Sequence, residues 1–457
     1  MADDQDRTRQ QPHLVSYIIS PPVRQEMEQD REKRVDVIIS LVEPPDHPEL
    51  GVAPAKEAVK KALSPTPVRE SDFYIFASLR ASEIEQLSQM KEVYQIWKDD
   101  RCRSHLLSST ETVKAAASWR TFDAQGKGIT WAVLDTGIRY EHPHFKTYDN
   151  IDRQLSTNLS SSPDEEDVNG HGTHVAGIIA GCAGRGDGDS GLRVATYLED
   201  ETNPKIEPLN GCPRGVAPLA KLVNVKVLDD DGSGSSSTAI LGLEYIRKLN
   251  QGSRQIRIDG ANLSLGYPFD PKWYGCGHSP LCQEVRRAVN SGISVVISCG
   301  NAGYGTAKLD SGQQVPVYLE LSIADPANTE EAIAVGSAHK SAPHSYGISY
   351  FSSKGPTGDG RMKPDLVAPG EKVVSCSIHF DDPDAEKQYH YEEKSGTSMA
   401  APHVSGAIAG FLSVHREFRG NPAALKQILM KSATDLGRQR SFQGAGLVDM
   451  LRAIMSV

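Results

Sequence analysis

Apolar and polar positions follow two different patterns along the chain, and the first of them covers the N-terminal hundred residues. There, short apolar runs typical of half-buried strands are separated by stretches with helical spacing. The predicted strands are VDVIISLV (35–42), FYIFASL (73–79) and VYQIW (93–97), and the predicted helices cover residues 54–63 and 81–90. This order of elements predicts a small α+β domain, which we classify as ferredoxin-like.

A second pattern begins near Gly126, where nearly continuous apolar runs alternate with helical stretches. Such runs are typical of parallel strands that are buried on both faces of a sheet. The predicted strands cover residues 129–135, 221–228, 261–265, 293–299 and 332–337, and the predicted helices cover residues 173–181, 237–249 and 281–292. The pattern therefore predicts a doubly wound α/β domain, with a mostly parallel sheet and helices on both faces.

The two patterns divide the chain into four segments. We expect a polar N-terminal tail over residues 1–33, the α+β domain over 34–100, a linker over 101–111 and the α/β domain over 112–457. The sequence shows no internal repeat.

Composition and charge narrow the class of protein. Of the 457 residues, 38% are hydrophobic and 24% are charged, and the formal net charge is -10. A negative chain is a poor partner for a phosphate backbone, so we expect no nucleic acid partner. The first twenty residues are polar, and no apolar run reaches the roughly 20 residues of a membrane span. We therefore expect a cytoplasmic protein without a membrane partner, in which the seven cysteines are mostly reduced.

Polar, reactive side chains stand where several predicted elements begin or end. Asp135 ends the strand in VLDTG, and Asn301 follows the strand in ISCGNAG. His171 begins a helix in NGHGTHVAG, and Ser398 begins another in SGTSMAAP. In an open α/β sheet such ends meet at one crevice, and a carboxylate, an imidazole and a hydroxyl together form a nucleophilic triad.

Each of these groups has a chemical part to play in such a triad. Imidazole titrates near pH 6.5, so His171 is available as a base that takes the proton of Ser398 at neutral pH. Asp135 would orient that imidazole. At the start of a helix the backbone N–H of Ser398 has no partner within the helix, so it is free to bind an oxyanion. The side-chain amide of Asn301 is a candidate second donor.

Four motifs together carry a family resemblance. The segments DTG (135–137), HGTHVAG (171–177), GNAG (300–303) and GTSMAAPHVSG (396–406) resemble the subtilisin-like serine proteases, in that family's order Asp, His, Ser. The resemblance covers about residues 112–457. It implies a serine endopeptidase with Asp135, His171 and Ser398 as the triad and Asn301 in the oxyanion hole.

The resemblance also implies how a substrate binds and how the enzyme is made. DGSG (231–234) and SLG (264–266) are similar to the two backbone segments that hold an extended peptide by strand addition. The N-terminal α+β domain is similar to the family's propeptide, an inhibitor that is cut off within the linker, so the chain is expected to be an autoprocessed zymogen. The expected substrate-binding residues are Gly232, Ser233, Gly234, Ser264, Leu265, Gly266 and Gly300.

Some positions differ from the family's pattern. His144 stands where many members carry an acidic calcium ligand, so the usual strong calcium site looks altered. No cofactor is expected to be required, and calcium binding is left open. Residues 183–214 and 270–282 resemble insertions, and we expect both to border the cleft. Cys276 and Cys282 either pack a loop, form a disulfide or contribute to a metal site.

Other classes of function remain to be weighed. His171 and His174 are three positions apart, but no HExxH motif or third ligand accompanies them, so no metal site is predicted. The serine lies in GTSMA rather than GxSxG, which argues against an esterase of the α/β-hydrolase class. The alternative left open is a peptide-binding pseudoprotease, or a permanently self-inhibited regulatory module.

Overall fold

The protein is described here by a computed structural model, which divides into two compact units, Met1–Arg103 and Ser104–Val457. Most of the expected linker lies outside the described residues. The structure describes residues 18–42, 51–99, 108–184, 191–197, 204–209, 211–251, 256–270, 272, 275–309 and 312–457.

The first unit is a four-stranded antiparallel sheet with helices. Its elements are α1 (Pro21–Gln29), β1 (Val35–Leu41), α2 (Ala53–Leu63), β2 (Val68–Glu70), β3 (Tyr74–Leu79), α3 (Ala81–Leu87) and β4 (Val93–Lys98). The strand order is β2-β3-β1-β4. Alternate residues of β1, among them Val37 and Ile39, point into the core, as expected for a strand with one buried face. The strand β2 was not predicted.

The end of the expected N-terminal tail is ordered, which corrects the prediction of a tail over residues 1–33. Helix α1 lies within that segment, and Ile19 forms a parallel bridge with Ile96 of β4. Val23 and Met27 are buried in the core of the first unit. These apolar residues recur every four positions in an otherwise polar segment, so overall polarity concealed an amphipathic helix.

The second unit is built on a seven-stranded sheet and several smaller sheets. Its strands are β5 (Thr130–Asp135), β6 (Thr157–Asn158), β7 (Arg193–Thr196), β8 (Lys205–Pro208), β9 (Lys221–Lys226), β10 (Gly260–Leu263), β11 (Ser294–Ser298), β12 (Tyr304–Lys308), β13 (Gln314–Tyr318), β14 (Ile333–His339), β15 (Leu366–Glu371), β16 (Val373–Cys376) and β17 (Tyr391–Lys394). The large sheet has the order β15-β14-β11-β10-β5-β9-β6, and all of its pairings are parallel.

Helices cover both faces of the large sheet. They are α4 (Ser108–Thr112), α5 (Ala115–Phe122), α6 (Pro143–Lys146), α7 (His171–Ile179), α8 (Ser236–Gln251), α9 (Pro280–Asn290), α10 (Pro343–Tyr346), α11 (Thr397–Val414), α12 (Pro422–Ser432), α13 (Arg440–Gln443) and α14 (Met450–Met455). None of the helices in the described part of the chain is long and apolar enough to cross a membrane.

The central strand β5 shows why the sheet needs two helical layers. Trp131 and Val133 face the core that contains α7 and α11, whereas Ala132 and Leu134 face the core that contains α8 and α9. Because successive side chains of a strand point to opposite faces, an all-apolar strand must be covered on both sides. The prediction of a doubly wound, mostly parallel α/β domain is confirmed.

Two smaller sheets were not predicted. Strands β7 and β8 lie in the expected insertion at 183–214 and belong to a four-stranded sheet of order β16-β17-β7-β8. Strands β12 and β13 form a hairpin whose residues are exposed or half-buried. Short polar strands of this kind carry no apolar alternation strong enough to be recognised in a sequence. Residues 185–190, 198–203 and 210 of the first insertion lie outside the described residues.

Candidate active site

Asp135 and His171 meet at the carboxyl end of β5. A carboxylate oxygen of Asp135 lies 2.7 Å from Nδ1 of His171. Asp135 is fully buried, whereas the side chain of His171 is 27% exposed. Because a carboxylate only accepts hydrogen bonds, Nδ1 carries the proton and Nε2 is left as the basic nitrogen that faces the cleft.

Close packing of two turns brings this pair together. A Cβ at Gly172 would lie 2.2 Å from the backbone oxygen of Gly137, so only glycine allows α7 to begin against the turn after β5. Gly137 itself has a φ of +115°, which favours glycine. The N–H of Gly172 also donates to the hydroxyl of Thr136 at 2.9 Å.

The buried carboxylate of Asp167 joins the same two turns. One of its oxygens accepts from the hydroxyl of Thr136 at 2.8 Å and from the N–H groups of Asn169 and Gly170 at 3.0 and 2.9 Å. Its other oxygen accepts from the N–H and the hydroxyl of Thr173 at 2.8 and 2.7 Å. Asp167 therefore satisfies N–H groups at the start of α7, and it is a residue that the motif analysis did not single out.

The electrostatics around His171 favour its protonated form. Burial lowers the pKa of His171, because it disfavours the charged imidazole. The negative charge of Asp135 raises this pKa, and that of Asp167 raises it further. Together they outweigh burial, so the pKa of His171 lies above its ordinary value. A raised pKa makes the imidazole a better proton acceptor, which a general base requires.

Ser398 is the second residue of α11, and a proline inside that helix shapes its surroundings. Pro402 has no N–H, so it cannot donate to the carbonyl oxygen of Ser398 four residues earlier. That oxygen instead accepts from the hydroxyl of Ser264 at 2.8 Å. In return, the hydroxyl of Ser398 donates to the carbonyl oxygen of Ser264 at 3.2 Å. The two serines thus hold each other by reciprocal hydrogen bonds.

Asn301 is oriented by the start of the same helix. Its side-chain oxygen accepts from both the N–H and the hydroxyl of Thr397, each at 2.9 Å. Its Nδ2 lies near Gly396, since a Cβ there would come within 3.5 Å of that nitrogen. Asn301 therefore lines the cleft beside the start of the helix that carries Ser398.

These side chains line one cleft of about 860 Å³. Two backbone segments form its sides, the turn that contains Gly234 and the segment that contains Leu265 and Gly266. Within the part of the chain that the structure describes, the backbone groups of these three residues make no hydrogen bonds. All predicted site residues except Asp135, which is covered by His171, line the cleft: His171, Gly232, Ser233, Gly234, Ser264, Leu265, Gly266, Gly300, Asn301 and Ser398.

Comparisons with known proteins agree with this geometry. A model of the subtilase family matches residues 126–447, and these residues contain all the groups described above. The chain belongs to the subtilase family. It is a subtilisin-like serine peptidase and hence a hydrolase with protein substrates, which confirms the resemblance of the motifs.

Several bacterial subtilases are similar over most of their length. Serine protease AprX of Bacillus subtilis (strain 168) is 29% identical over 79% of this chain and 74% of its own. The Intracellular serine protease of Paenibacillus polymyxa is 30% identical over 78% of this chain and 88% of its own. The Major intracellular serine protease of Bacillus subtilis (strain 168) is 33% identical over 69% of this chain and 77% of its own.

His144, which stands where an acidic calcium ligand was expected, is held by hydrogen bonds within the second unit. This side chain is buried, and its Nε2 lies 3.2 and 3.0 Å from the carbonyl oxygens of Gly177 and Ala180. Nε2 must therefore carry the proton, and Nδ1 accepts from the hydroxyl of Tyr391 at 3.0 Å. Burial lowers the pKa of His144 to about 4, so the ring is neutral. Both ring nitrogens of His144 are thus used in hydrogen bonds within the protein.

The other polar candidates, His174, Cys276 and Cys282, do not line the cleft. His174 is buried, and its Nε2 faces the carbonyl oxygens of Val373 and Glu392 at 3.2 and 3.1 Å. Cys276 and Cys282 are buried free thiols, not bonded to each other, so the proposed disulfide between them is absent from the structure. Leu281 of the second insertion lines the cleft, and so does Phe269, which directly precedes this insertion.

Sequence reasoning missed several supporting residues. Asn262 donates to the hydroxyl of Ser264 at 2.9 Å and accepts from Ser405 at 2.9 Å, while Thr397 orients Asn301. Thr397 is part of the GTS motif itself, so its supporting role could have been considered from the sequence. The partnership of Asn262 with Ser405 joins positions far apart in the chain, and no local pattern reveals it.

Proposed function

We propose that the chain is a serine endopeptidase that uses Asp135, His171 and Ser398 as its catalytic triad. The observation that carries the proposal is the 2.7 Å contact between Asp135 and Nδ1 of His171, in a cleft that also contains Ser398. The raised pKa of His171 supports its assignment as the base.

In the proposed mechanism, Ser398 attacks the carbonyl carbon of the scissile bond while Nε2 of His171 takes its proton. His171 then donates this proton to the leaving amine, and a water molecule repeats the sequence to release the acyl group. Asp135 keeps the imidazole in the required tautomer and stabilises the cation. The amide of Asn301 and the backbone N–H of Ser398 bind the oxyanion.

We assign the extended substrate to the two sides of the cleft. Gly232, Ser233 and Gly234 form one side, and Ser264, Leu265 and Gly266 form the other, with Gly300 at its base. The unused backbone groups of Gly234, Leu265 and Gly266 support this assignment, because strand addition requires free N–H and C=O groups.

The first unit is proposed to be an inhibitory propeptide, which makes the whole chain a zymogen that processes itself between residues 101 and 111. Its separate hydrophobic core and its β-α-β-β-α-β order of elements support a domain that folds by itself. We propose a cytoplasmic location, which is supported by the names of two relatives that are called intracellular proteases.

The intact mass of the full chain before and after incubation at neutral pH tests both parts. We expect the wild type to lose about 100 residues, while Ser398→Ala stays whole. Equal loss in both would reject Ser398 as the nucleophile. If both stay whole, the separate segment 112–457 is mixed with an unfolded protein: fragments would retain the peptidase and reject self-processing, whereas binding without fragments would favour a pseudoprotease.

A further inference from the structure

Two cysteines lie side by side where the first insertion leaves and rejoins the second unit. The sulfur atoms of Cys182 and Cys212 are 3.0 Å apart, although the residues are separated by 30 positions in the chain. Neither of them forms a disulfide in the structure. We call residues 181–184 and 212–215 the neck of the insertion.

Backbone hydrogen bonds hold the two sides of the neck in place. Cys182 forms an antiparallel bridge with Arg214, and the N–H of Gly215 donates to Gly181 at 3.0 Å. The N–H of Ala183 donates to the carbonyl oxygen of Pro213 at 3.3 Å. Since Cys212 stands two residues before Arg214, its side chain lies on the same face as that of Cys182 and diagonal to it. A disulfide needs a sulfur separation of about 2.05 Å, so the sulfurs have to approach by about 1 Å.

The chemical setting gives the two thiols different parts. Cys182 is fully buried, whereas Cys212 is half-buried and therefore accessible to a small oxidant. Arg214 lies close to both sulfur atoms, and a guanidinium stabilises a neighbouring thiolate. The hydrogen bond to Cys212 and burial both raise the pKa of Cys182, which suits a second thiol that reacts only when its neighbour has been oxidised.

We propose that Cys182 and Cys212 are a reversible modification site, at which a low-molecular-weight disulfide converts the two thiols into a disulfide that closes the neck. The Cys212 thiolate attacks one sulfur of the small disulfide, whose S–S bond breaks and releases one small thiol. Cys182 then loses its proton and attacks Cys212, which releases the second small thiol. The protein thus loses two electrons and two protons, and the small disulfide gains both.

The position of the neck defines what the bond would stabilise. The insertion contains β7, which pairs in parallel with β17 through Val194 and Tyr391. Strand β17 leads directly into the segment that contains Ser398, and α7, which begins at His171, ends just before the neck. Closing the neck removes conformational freedom from the unfolded insertion and from locally opened states. The oxidised protein is therefore the more stable form.

Thiol counting in the full-length Ser398→Ala protein tests the proposal without self-cleavage. The protein is equilibrated with glutathione and glutathione disulfide at several ratios, quenched, denatured and labelled with N-ethylmaleimide. Fully reducing buffer should give seven labels, one for each cysteine of the chain. Oxidising buffer should give two fewer and a peptide that links Cys182 to Cys212. Seven labels at every ratio, or a link between another pair, would overturn the proposal.

Thermal melting of two further variants tests the stabilising effect. Compared with reducing buffer, oxidising buffer should raise the Tm of the Cys276→Ser protein by roughly 3–8 °C, as expected when a disulfide closes a loop of this size. Cys212→Ser should gain nothing. An equal gain in both proteins would mean that the neck is not the site of oxidation.

Discussion

Replacement of Asp167 by asparagine tests whether the buried carboxylate positions His171, the proposed base. One carboxylate oxygen of Asp167 accepts hydrogen bonds from Thr136, Asn169 and Gly170, and the side-chain oxygen of asparagine can still accept all three. Its NH₂ group then replaces the oxygen that accepts from the N–H of Thr173 at 2.8 Å. Two donors face each other there, at the N-terminus of α7.

The destabilisation by Asp167→Asn can be estimated from the hydrogen bond and the charge that the substitution removes. One hydrogen bond to a charged group contributes about 1.5–3 kcal/mol. Loss of the negative charge at a helix N-terminus costs a further ~0.3–2 kcal/mol. We therefore expect the start of α7, which carries His171, to be destabilised by about 2–5 kcal/mol. Since a small displacement of a catalytic group can cost about 10²-fold, kcat should fall by roughly 10- to 100-fold.

A pH profile separates a positioning role from a purely structural one. The negative charge of Asp167 is one of the charges that raise the pKa of His171 against the effect of burial, after that of Asp135. In the proposed mechanism His171 must be neutral to take a proton. Loss of the Asp167 charge lowers the pKa of His171, so the acidic limb of kcat/KM should move to lower pH. We expect this shift with Asp167→Asn and not with Asp164→Asn, which removes an exposed carboxylate from the same loop. A fall in Tm with an unmoved limb and unchanged kcat would refute the reasoning.

Three further predictions concern the oxyanion donor, acid stability and calcium. Asn301→Ala should lower kcat by about 10²–10³ with little change in Tm, and an unchanged kcat would remove its amide from the mechanism. Burial lowers the pKa of His142 to about 3 and those of His144 and His403 to about 4, so the unfolded state binds more protons than the native state below about pH 6.5. Stability should therefore fall by up to about 1.4 kcal/mol per pH unit for each histidine between pH 6.5 and 4, and a Tm that is constant from pH 7.5 to 5 would contradict this. Because His144 occupies the expected calcium position, removal of calcium with EGTA should leave Tm within about 1 °C, and a large loss would show a calcium site elsewhere.

Much of the architecture could be predicted because parallel strands are apolar on both faces. The strand that ends at Asp135 and the strand before Asn301 were both placed to within a residue or two, since the ends of buried runs coincide with the crevice. The glycine-rich turns around His171 and Ser398 were recognisable for the same local reason. Helix α1 escaped prediction because three apolar residues in a polar segment give a weak signal, although Val23 is fully buried.

The supporting contacts of the site could not be predicted, because they join residues that are distant in the chain. Asp167 accepts from Thr136 across 31 positions, and Asn262 accepts from Ser405 across 143. Neither partner carries a local signature, since a buried carboxylate or amide resembles any other polar residue in a sequence. Such pairs depend on the fold, in which a polar group that loses water must find a partner.

Pro402 shows how a locally unfavourable residue serves the site. Within a helix, proline costs about 3 kcal/mol, partly because a backbone acceptor loses its donor. Here that acceptor is the carbonyl oxygen of Ser398, and the hydroxyl of Ser264 supplies the missing hydrogen bond at 2.8 Å. This hydrogen bond joins the backbone of the proposed nucleophile to the segment that we assign to the substrate. It does not use the hydroxyl proton of Ser398, so it persists when that proton is transferred to His171 and keeps the two segments together during attack.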